Sequence, residues 1–360
     1  MNSKLKVIII IGVVVLLSGV GLGAAGYAMG GMKSVIMQAG GPLVIDESDE
    51  TKVVKVDEVF ENVAAIDINL GGIEKVTIKE GPSLRVKGQH FLFFGGLKAE
   101  RGADGTLAVT HSVKNAVDHW IIDFPSVFRA AINPYPSSYL EITIPRGVSL
   151  TAVNADIAFG DMEIDAVDLE RMDLKLDSGN VSASNITCGS LDAELSFGEL
   201  DARNVNAGNV VIDSDSGNIE LWDLTASGDL TIASSFGNID LEAVNAVTSN
   251  FTMSSGDFSA GGMYVSNGMK LNSSFGDIKI TGDLRGDSAI NSDSGNLDLT
   301  LSGARDDYAI SVESDAGEVR LDDSRGAGGF NGRFESGPSS APDKISIDSS
   351  FGDVDVAFRG

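Results

Sequence analysis

Ser196-Phe197-Gly198-Glu199-Leu200, Asp215-Ser216-Gly217-Asn218-Ile219 and Ser235-Phe236-Gly237-Asn238-Ile239 are successive forms of one five-residue signature. It occurs ten times. The other forms are Ala158-Phe159-Gly160-Asp161-Met162, Asp177-Ser178-Gly179-Asn180-Val181, Ser254-Ser255-Gly256-Asp257-Phe258, Ser274-Phe275-Gly276-Asp277-Ile278, Asp293-Ser294-Gly295-Asn296-Leu297, Asp315-Ala316-Gly317-Glu318-Val319 and Ser350-Phe351-Gly352-Asp353-Val354. From Gly160 to Gly317 the glycine intervals are 19, 19, 19, 20, 19, 20, 19 and 22, a regularity that chance does not give. A fixed period of this length marks a repeat architecture.

Between the glycines apolar residues alternate over short runs, as in Met172-Asp173-Leu174-Lys175-Leu176 and Leu230-Thr231-Ile232. That is a strand pattern, and long windows of helical periodicity are absent. Two or three short strands joined by tight turns fill one period. Stacked units of this kind bury their apolar faces on their neighbours, so the expected fold is all-β, a parallel β-solenoid (β-helix) of 19–20-residue repeats. The recurring glycine suits a corner of positive φ, and the Asn or Asp after it suits the same turn, Glu less well. The residue before the glycine alternates Phe and Ser as far as Ser294, then reads Ala316 and Phe351. If one repeat is one coil, the rings stand about two inter-strand spacings apart, near 9.6 Å; if two repeats make a coil, the rings stack in one column. The first arrangement is preferred because it leaves a small residue between rings.

The chain divides into four regions. Residues 1–33 hold an uncharged stretch from Val7 to Met32, preceded by Lys4 and Lys6. It is long enough to cross a bilayer as a helix, and the lysines favour a cytoplasmic N-terminus. The alternative is a cleaved signal peptide with Gly26-Tyr27-Ala28 at the cleavage site. Either places the remainder outside the cytoplasm, with the cell membrane as the expected location of the anchored form. Residues 34–58, with Asp46-Glu47-Ser48-Asp49-Glu50, read as an acidic stalk, and 59–149 as a β-rich N-terminal cap region. Residues 150–360 are the repeats, with an inserted loop near 322–343 rich in Gly, Ser and Pro.

These repeats resemble the bacterial "putative adhesin" domain family, as do the strand Leu140-Glu141-Ile142-Thr143-Ile144-Pro145 and the single N-terminal apolar segment. The resemblance covers roughly residues 60–360. It implies a β-solenoid displayed on the cell envelope as a binding or structural module, or an accessory to envelope-stress signalling through a membrane partner. It carries over no catalytic residue.

Composition narrows the chemistry. The 26 Lys and Arg stand against 52 Asp and Glu, a net charge of −26, which disfavours nucleic acid and anionic lipid. One cysteine, Cys188, excludes an intramolecular disulfide and reads as a small buried thiol. The spacing of His90, His111 and His119 matches no helical zinc motif. Carboxylates recur so evenly that no pair is singled out for glycosidase chemistry, and the bases are too scattered for a lyase. The expectation is therefore a protein without catalytic residues or a resident cofactor. Calcium could gather on the column of residues after the glycines, whose carboxylates suit a hard cation. The expected partners are the membrane, through the N-terminal segment, and an envelope protein or glycan. Trp120, Phe124, Phe128 and Tyr135 form the candidate contact patch, with a cap over the first coil as the competing role. Gly160, Gly179, Gly198, Gly217, Gly237, Gly256, Gly276, Gly295, Gly317 and Gly352 are read as structural.

Overall fold

The structure, a computed structural model, describes residues 35–38, 41–44, 53–91, 96–112, 120–122, 137–321, 324–325 and 332–359. The expected membrane segment, residues 1–33, lies outside the described residues. Among the described residues no helix is long and apolar enough to cross a membrane. The chain forms two compact units, one of residues 1–54, 90–96 and 113–137, the other of residues 55–89, 97–112 and 138–360.

In the first unit Val35–Gln38 pairs antiparallel with both Gly41–Val44 and Trp120–Ile122. The pairs Val35↔Val44 and Val35↔Ile122 set the register. The region read as a stalk therefore contains strands, and Val53–Val59 is a third. Val35-Ile36-Met37 and Leu43-Val44 are apolar enough to pair, which the acidic run after them obscured at the level of composition.

The second unit is the solenoid. One repeat makes one coil, because between Leu150 and Leu301 the ladders that join successive repeats pair residues 19 or 20 apart, as in Met162↔Val181 and Ile219↔Ile239. Pairing within a coil runs in three stretches. Met162–Asp165, Val167–Leu169 and Arg171–Leu176 lie in parallel on Val181–Ser184, Ile186–Cys188 and Ser190–Leu195. The chain bends between the first two at a left-handed residue, Ala166, Asn185, Asn204, Asp223, Ala243 or Gly262 on successive coils, with φ between 52° and 63°. Along each stretch alternate side chains point inward, as in Met172, Leu174 and Leu176, all 3% exposed or less. Their columns form one continuous core. A core of this kind supplies most of the stability of a repeat fold, since each coil buries its apolar face only against its neighbours. One inward column, Ser214, Ser234, Ser273, Ser292, Ser349 and Ser314, is polar but for Met253 between Ser234 and Ser273.

Neither end of the stack follows chain order. The parallel stack includes residues before 150: Ala65–Leu70 lies on Leu150–Ile157, and Lys75–Gly81 on Asp161–Asp165. On their other sides Ala65–Leu70 meets Thr106–Ser112 and Lys75–Gly81 meets Tyr139–Pro145, all in parallel. The coil built from 65–81 is thus enclosed by chain that follows it. Arg85–Phe91 then covers Tyr139–Pro145 in antiparallel sense. At the far end Asp343–Phe351 inserts between Asp287–Ser294 and Tyr308–Ala316, parallel to both. Val354–Arg359 does the same between Leu297–Ser302 and Val319–Leu321. The segment read as an inserted loop near 322–343 contains strands that cover the last coil's edges. Gly332–Ser336 runs antiparallel to Tyr308–Ala316, and Ser324–Arg325 to Val319–Leu321. Antiparallel cover of this kind protects an open sheet edge from pairing with other chains.

A polar clamp holds the inserted coil. Asp343 accepts hydrogen bonds from Arg285 Nη1 at 2.9 Å and from the Gly286 N–H at 2.8 Å. Arg285 also meets Asp283 at 2.6 Å, and the Tyr308 hydroxyl donates to Asp283 at 3.0 Å. The two carboxylates beside Arg285 hold its guanidinium further into its charged form, and burial pushes the Tyr308 hydroxyl well above the usual phenol range.

Candidate functional site

The signature residues converge on one edge of the solenoid, where the long stretch of each coil turns into the next. The repeat glycines sit there at φ between 130° and 148°. A Cβ at each would run into a neighbouring coil's backbone, as at Gly237 against the carbonyl oxygen of Gly217. Glycine is thus required both for its φ and for close stacking.

The Asx column beside it has a different role from the one expected. Asp161 Oδ1 accepts from the N–H of Asn180, and Asn180 Oδ1 from the N–H of Glu199, both at 2.9 Å. Asn218, Asn238, Asp257, Asp277, Asn296 and Asp353 repeat the bond to the next coil, between 2.8 and 3.1 Å. Each side chain therefore caps the turn of its neighbour rather than its own. Glu199 is one methylene too long for this geometry, and among the described residues it makes no such bond.

The residues before the glycines point outward. Phe159, Phe197, Phe236, Phe275 and Phe351 are 62–63% exposed. They stand on every second coil, through the cross-coil pairs Ser178↔Phe197, Phe197↔Ser216, Ser216↔Phe236 and Phe236↔Ser255. In sequence the alternation fails after Ser294, where Ala316 precedes Phe351. In space it does not. The inserted coil seats Phe351 on Ser294, and Ala316 follows on Phe351. The stack reads Phe, Ser, Phe, Ser, Phe, Ser, Phe, Ser, Phe, Ala. On the intervening coils the position two before the glycine carries the exposed carboxylates Asp177, Asp215, Asp293 and Asp315, with Ser254 the exception. The edge alternates ring and carboxylate with a two-coil period.

A second surface feature is a groove on the outward face of the long stretch. Asp67, Asp156, Arg171, Asp173, Lys175 and Asp192 are among its lining residues. Its cations are paired internally, Arg171 with Asp173 at 3.0 Å and Lys175 with Glu194 at 3.7 Å. Desolvation, reinforced by Asp173 and Glu194, raises the pKa of Asp192. On a neighbouring side, Arg203 lies 5.5 Å from the ring centroid of Trp222.

Of the residues singled out by sequence, the ten glycines come together as the edge column. Trp120 lies in the strand Trp120–Ile122 of the first unit. Phe124, Phe128 and Tyr135 lie outside the described residues, as does His119. Cys188 is buried, and desolvation pushes its thiol up to about 11, which leaves it unreactive at neutral pH. Calcium on the post-glycine column would compete with the Oδ1 bonds of the ladder. Among the described residues no group of three or more His, Cys, Asp or Glu is placed to hold a metal ion. The exposed phenylalanines were legible only as an alternation; that they face solvent follows from the fold.

The fold and its edge define a parallel β-solenoid with one repeat per coil and a regular surface ladder. The chain belongs to the Toastrack DUF4097 family, whose model matches residues 63–357, in agreement with the resemblance carried by the repeats. Among solved structures it is similar to a "putative lipid binding protein" from Parabacteroides distasonis, at 13% identity, over 85% of this chain and 96% of that one, with a TM-score of 0.43. It is also similar to a "putative adhesin" from Bacteroides fragilis, at 12% identity, over 86% of this chain and 98% of that one, with a TM-score of 0.39. No curated protein matches the chain.

Proposed function

We propose that this protein is an adhesin-like binding module of the cell envelope, its solenoid presented outside the cytoplasm and tethered to the cell membrane by the apolar segment Val7–Met32. The observation that carries the reading is the ladder of five exposed phenylalanines. Isolated exposed rings need no explanation, but an evenly spaced row of five along one edge supports a contact surface. At about 9.6 Å the rings are beyond the 4.5–7 Å range of aromatic pairing, so they do not stabilise one another. The reading assigns binding, not catalysis, to the edge.

The test has two arms. Protease added to intact cells should degrade the solenoid while cytoplasmic markers survive; protection of the solenoid would sink the display reading. Purified full-length protein should sediment with isolated cell envelopes, and the combined Phe197→Ala, Phe236→Ala and Phe275→Ala variant should lose most of that binding. Equal sedimentation of both would remove the ladder as the contact surface.

A further inference from the structure

The ladder has three properties that together narrow its ligand. It is linear: five rings on alternate coils follow the axis of the stack. It is periodic at two inter-strand spacings, about 9.6 Å. Its charged groups between the rings are carboxylates. Three of the four coils between rings present Asp177, Asp215 and Asp293, the fourth has Ser254, and Asp315 follows the last ring; an ionised carboxylate accepts hydrogen bonds only. The backbone N–H groups of the post-glycine residues are largely consumed by the Asx ladder, as in Asn180→Asp161 and Asp257→Asn238, which leaves the asparagine amides and serine hydroxyls as the edge's donors.

We infer that the edge binds an unbranched, uncharged β-1,4-linked polysaccharide laid along the solenoid axis, an inference that rests on the edge being a contact surface at all. Such a chain is an extended ribbon with a two-fold screw. It presents the same pyranose face once per disaccharide, at a repeat nearly equal to two coils. The C–H face of alternate sugars would rest on successive phenylalanine rings, and the intervening sugar would turn its hydroxyls, which are donors, toward the carboxylates. The same properties count against other occupants. A second copy of this chain would set one acidic row against another under a net charge of −26 each. Anionic polymers and anionic membranes meet the same repulsion. A polyproline-type peptide has a similar rise per turn, about 9.3 Å, but its main chain has carbonyl acceptors and no N–H to donate to the carboxylates.

The spatial alternation strengthens the case. Simple duplication of a two-coil unit would preserve the alternation in sequence order. Here it is broken in sequence, at Ala316, and restored in space by the inserted coil that carries Phe351. What is regular is the surface.

The experiment is calorimetric titration of the full-length protein in nanodiscs with chito- and cello-oligosaccharides of two, four and six sugars. Maltohexaose, polygalacturonate, a polyproline peptide and phosphatidylcholine vesicles serve as comparisons. The expected result is binding of one or both β-1,4 oligosaccharides, tighter with each added disaccharide as a further ring is engaged, and weak or absent binding of the comparisons. Single Phe197→Ala, Phe236→Ala and Phe275→Ala variants should each bind about two- to tenfold more weakly. Phe236→Leu, which keeps an apolar side chain but no ring, should weaken binding too. Trp222→Ala, away from the edge, should bind like the parent. The inference is overturned if neither β-1,4 oligosaccharide binds, if maltohexaose binds equally, or if the phenylalanine variants bind unchanged. Ladder-dependent capture of the peptide or the vesicles instead also overturns it. Ladder-dependent sedimentation with envelopes alongside any of these results would leave the binding function standing and remove only this ligand.

Discussion

At Gly237 two constraints act on one residue, a φ of 135° and a neighbouring carbonyl that a Cβ would overlap. Gly147 carries only the first, with φ of 77° and nothing within 4 Å of a built Cβ. The two sites separate conformational strain from stacking. Gly147→Ala should cost about 1 kcal/mol, and Gly237→Ala about 2–4 kcal/mol, read from denaturant midpoints at constant slope. Similar losses at both sites would mean that coil stacking tolerates the extra carbon. The Asx ladder offers a test of opposite sign. Glu199→Asn supplies the carbonyl group that its neighbours use to cap the next coil, and should raise stability by about 0.5–1.5 kcal/mol. An unchanged midpoint would show that the ladder bonds merely replace equivalent bonds to water.

At the scale of the coil, the inserted C-terminal segment is a structural member in the middle of its sheet. Asp343–Phe351 pairs with neighbours on both sides, and Asp343 is fastened to Arg285 and Gly286 of the preceding coil. In a solenoid laid down in order, removing the last coil exposes one new edge. Here it removes the support between two coils. Truncation after residue 342 should therefore abolish amide-exchange protection over Tyr308–Ala316 while strands such as Leu200–Ser216 keep theirs. Retained protection over Tyr308–Ala316 would show that this strand can dock directly on Asp287–Ser294. The N-terminal coil of residues 65–81 is enclosed in the same way, so neither terminal coil is free to fray from the end of the stack.

For the whole molecule the dominant electrostatic fact is the net charge of −26. Asp192 and Asp240 have raised pKa values, first through desolvation and then through neighbouring carboxylates. A carboxylate whose pKa is higher folded than unfolded withholds stability at neutral pH and returns it as the pH falls through the folded value. Asp165 has the opposite sign. Hydrogen bonds from Ser184 and Asn185 lower its pKa, so its contribution is present above the unfolded value and is lost as the pH falls through the folded one. The unfolding midpoint should rise as the pH is lowered from 7 toward the carboxylate range, and fall again in stronger acid. A midpoint that declines steadily from neutrality would show that the favourable carboxylate bonds outweigh the repulsion.

The period of the glycines was enough to establish the coil, because a 19- or 20-residue interval that returns the same turn admits few solutions other than stacked strands. The ring alternation favoured one repeat per coil over two without deciding it, which the ladders of 19 or 20 residues did, and Cys188 lies buried as its inward position suggested. The roles of individual residues were less legible. The post-glycine Asn and Asp were read as serving their own turn, since a sequence shows what is adjacent along the chain and not what lies one coil away. Coil order was invisible for the same reason. Coils of equal length and matched pattern can stack on any other, so periodicity sets the shape of each layer without setting which layers touch. Only the tertiary structure decided that residues 65–81 lie between later segments, that Phe351 sits on Ser294, and that five phenylalanines share one exposed row. The sequence by itself determined the unit; packing of the two ends determined the number of coils and their order, and with them the surface that the units present.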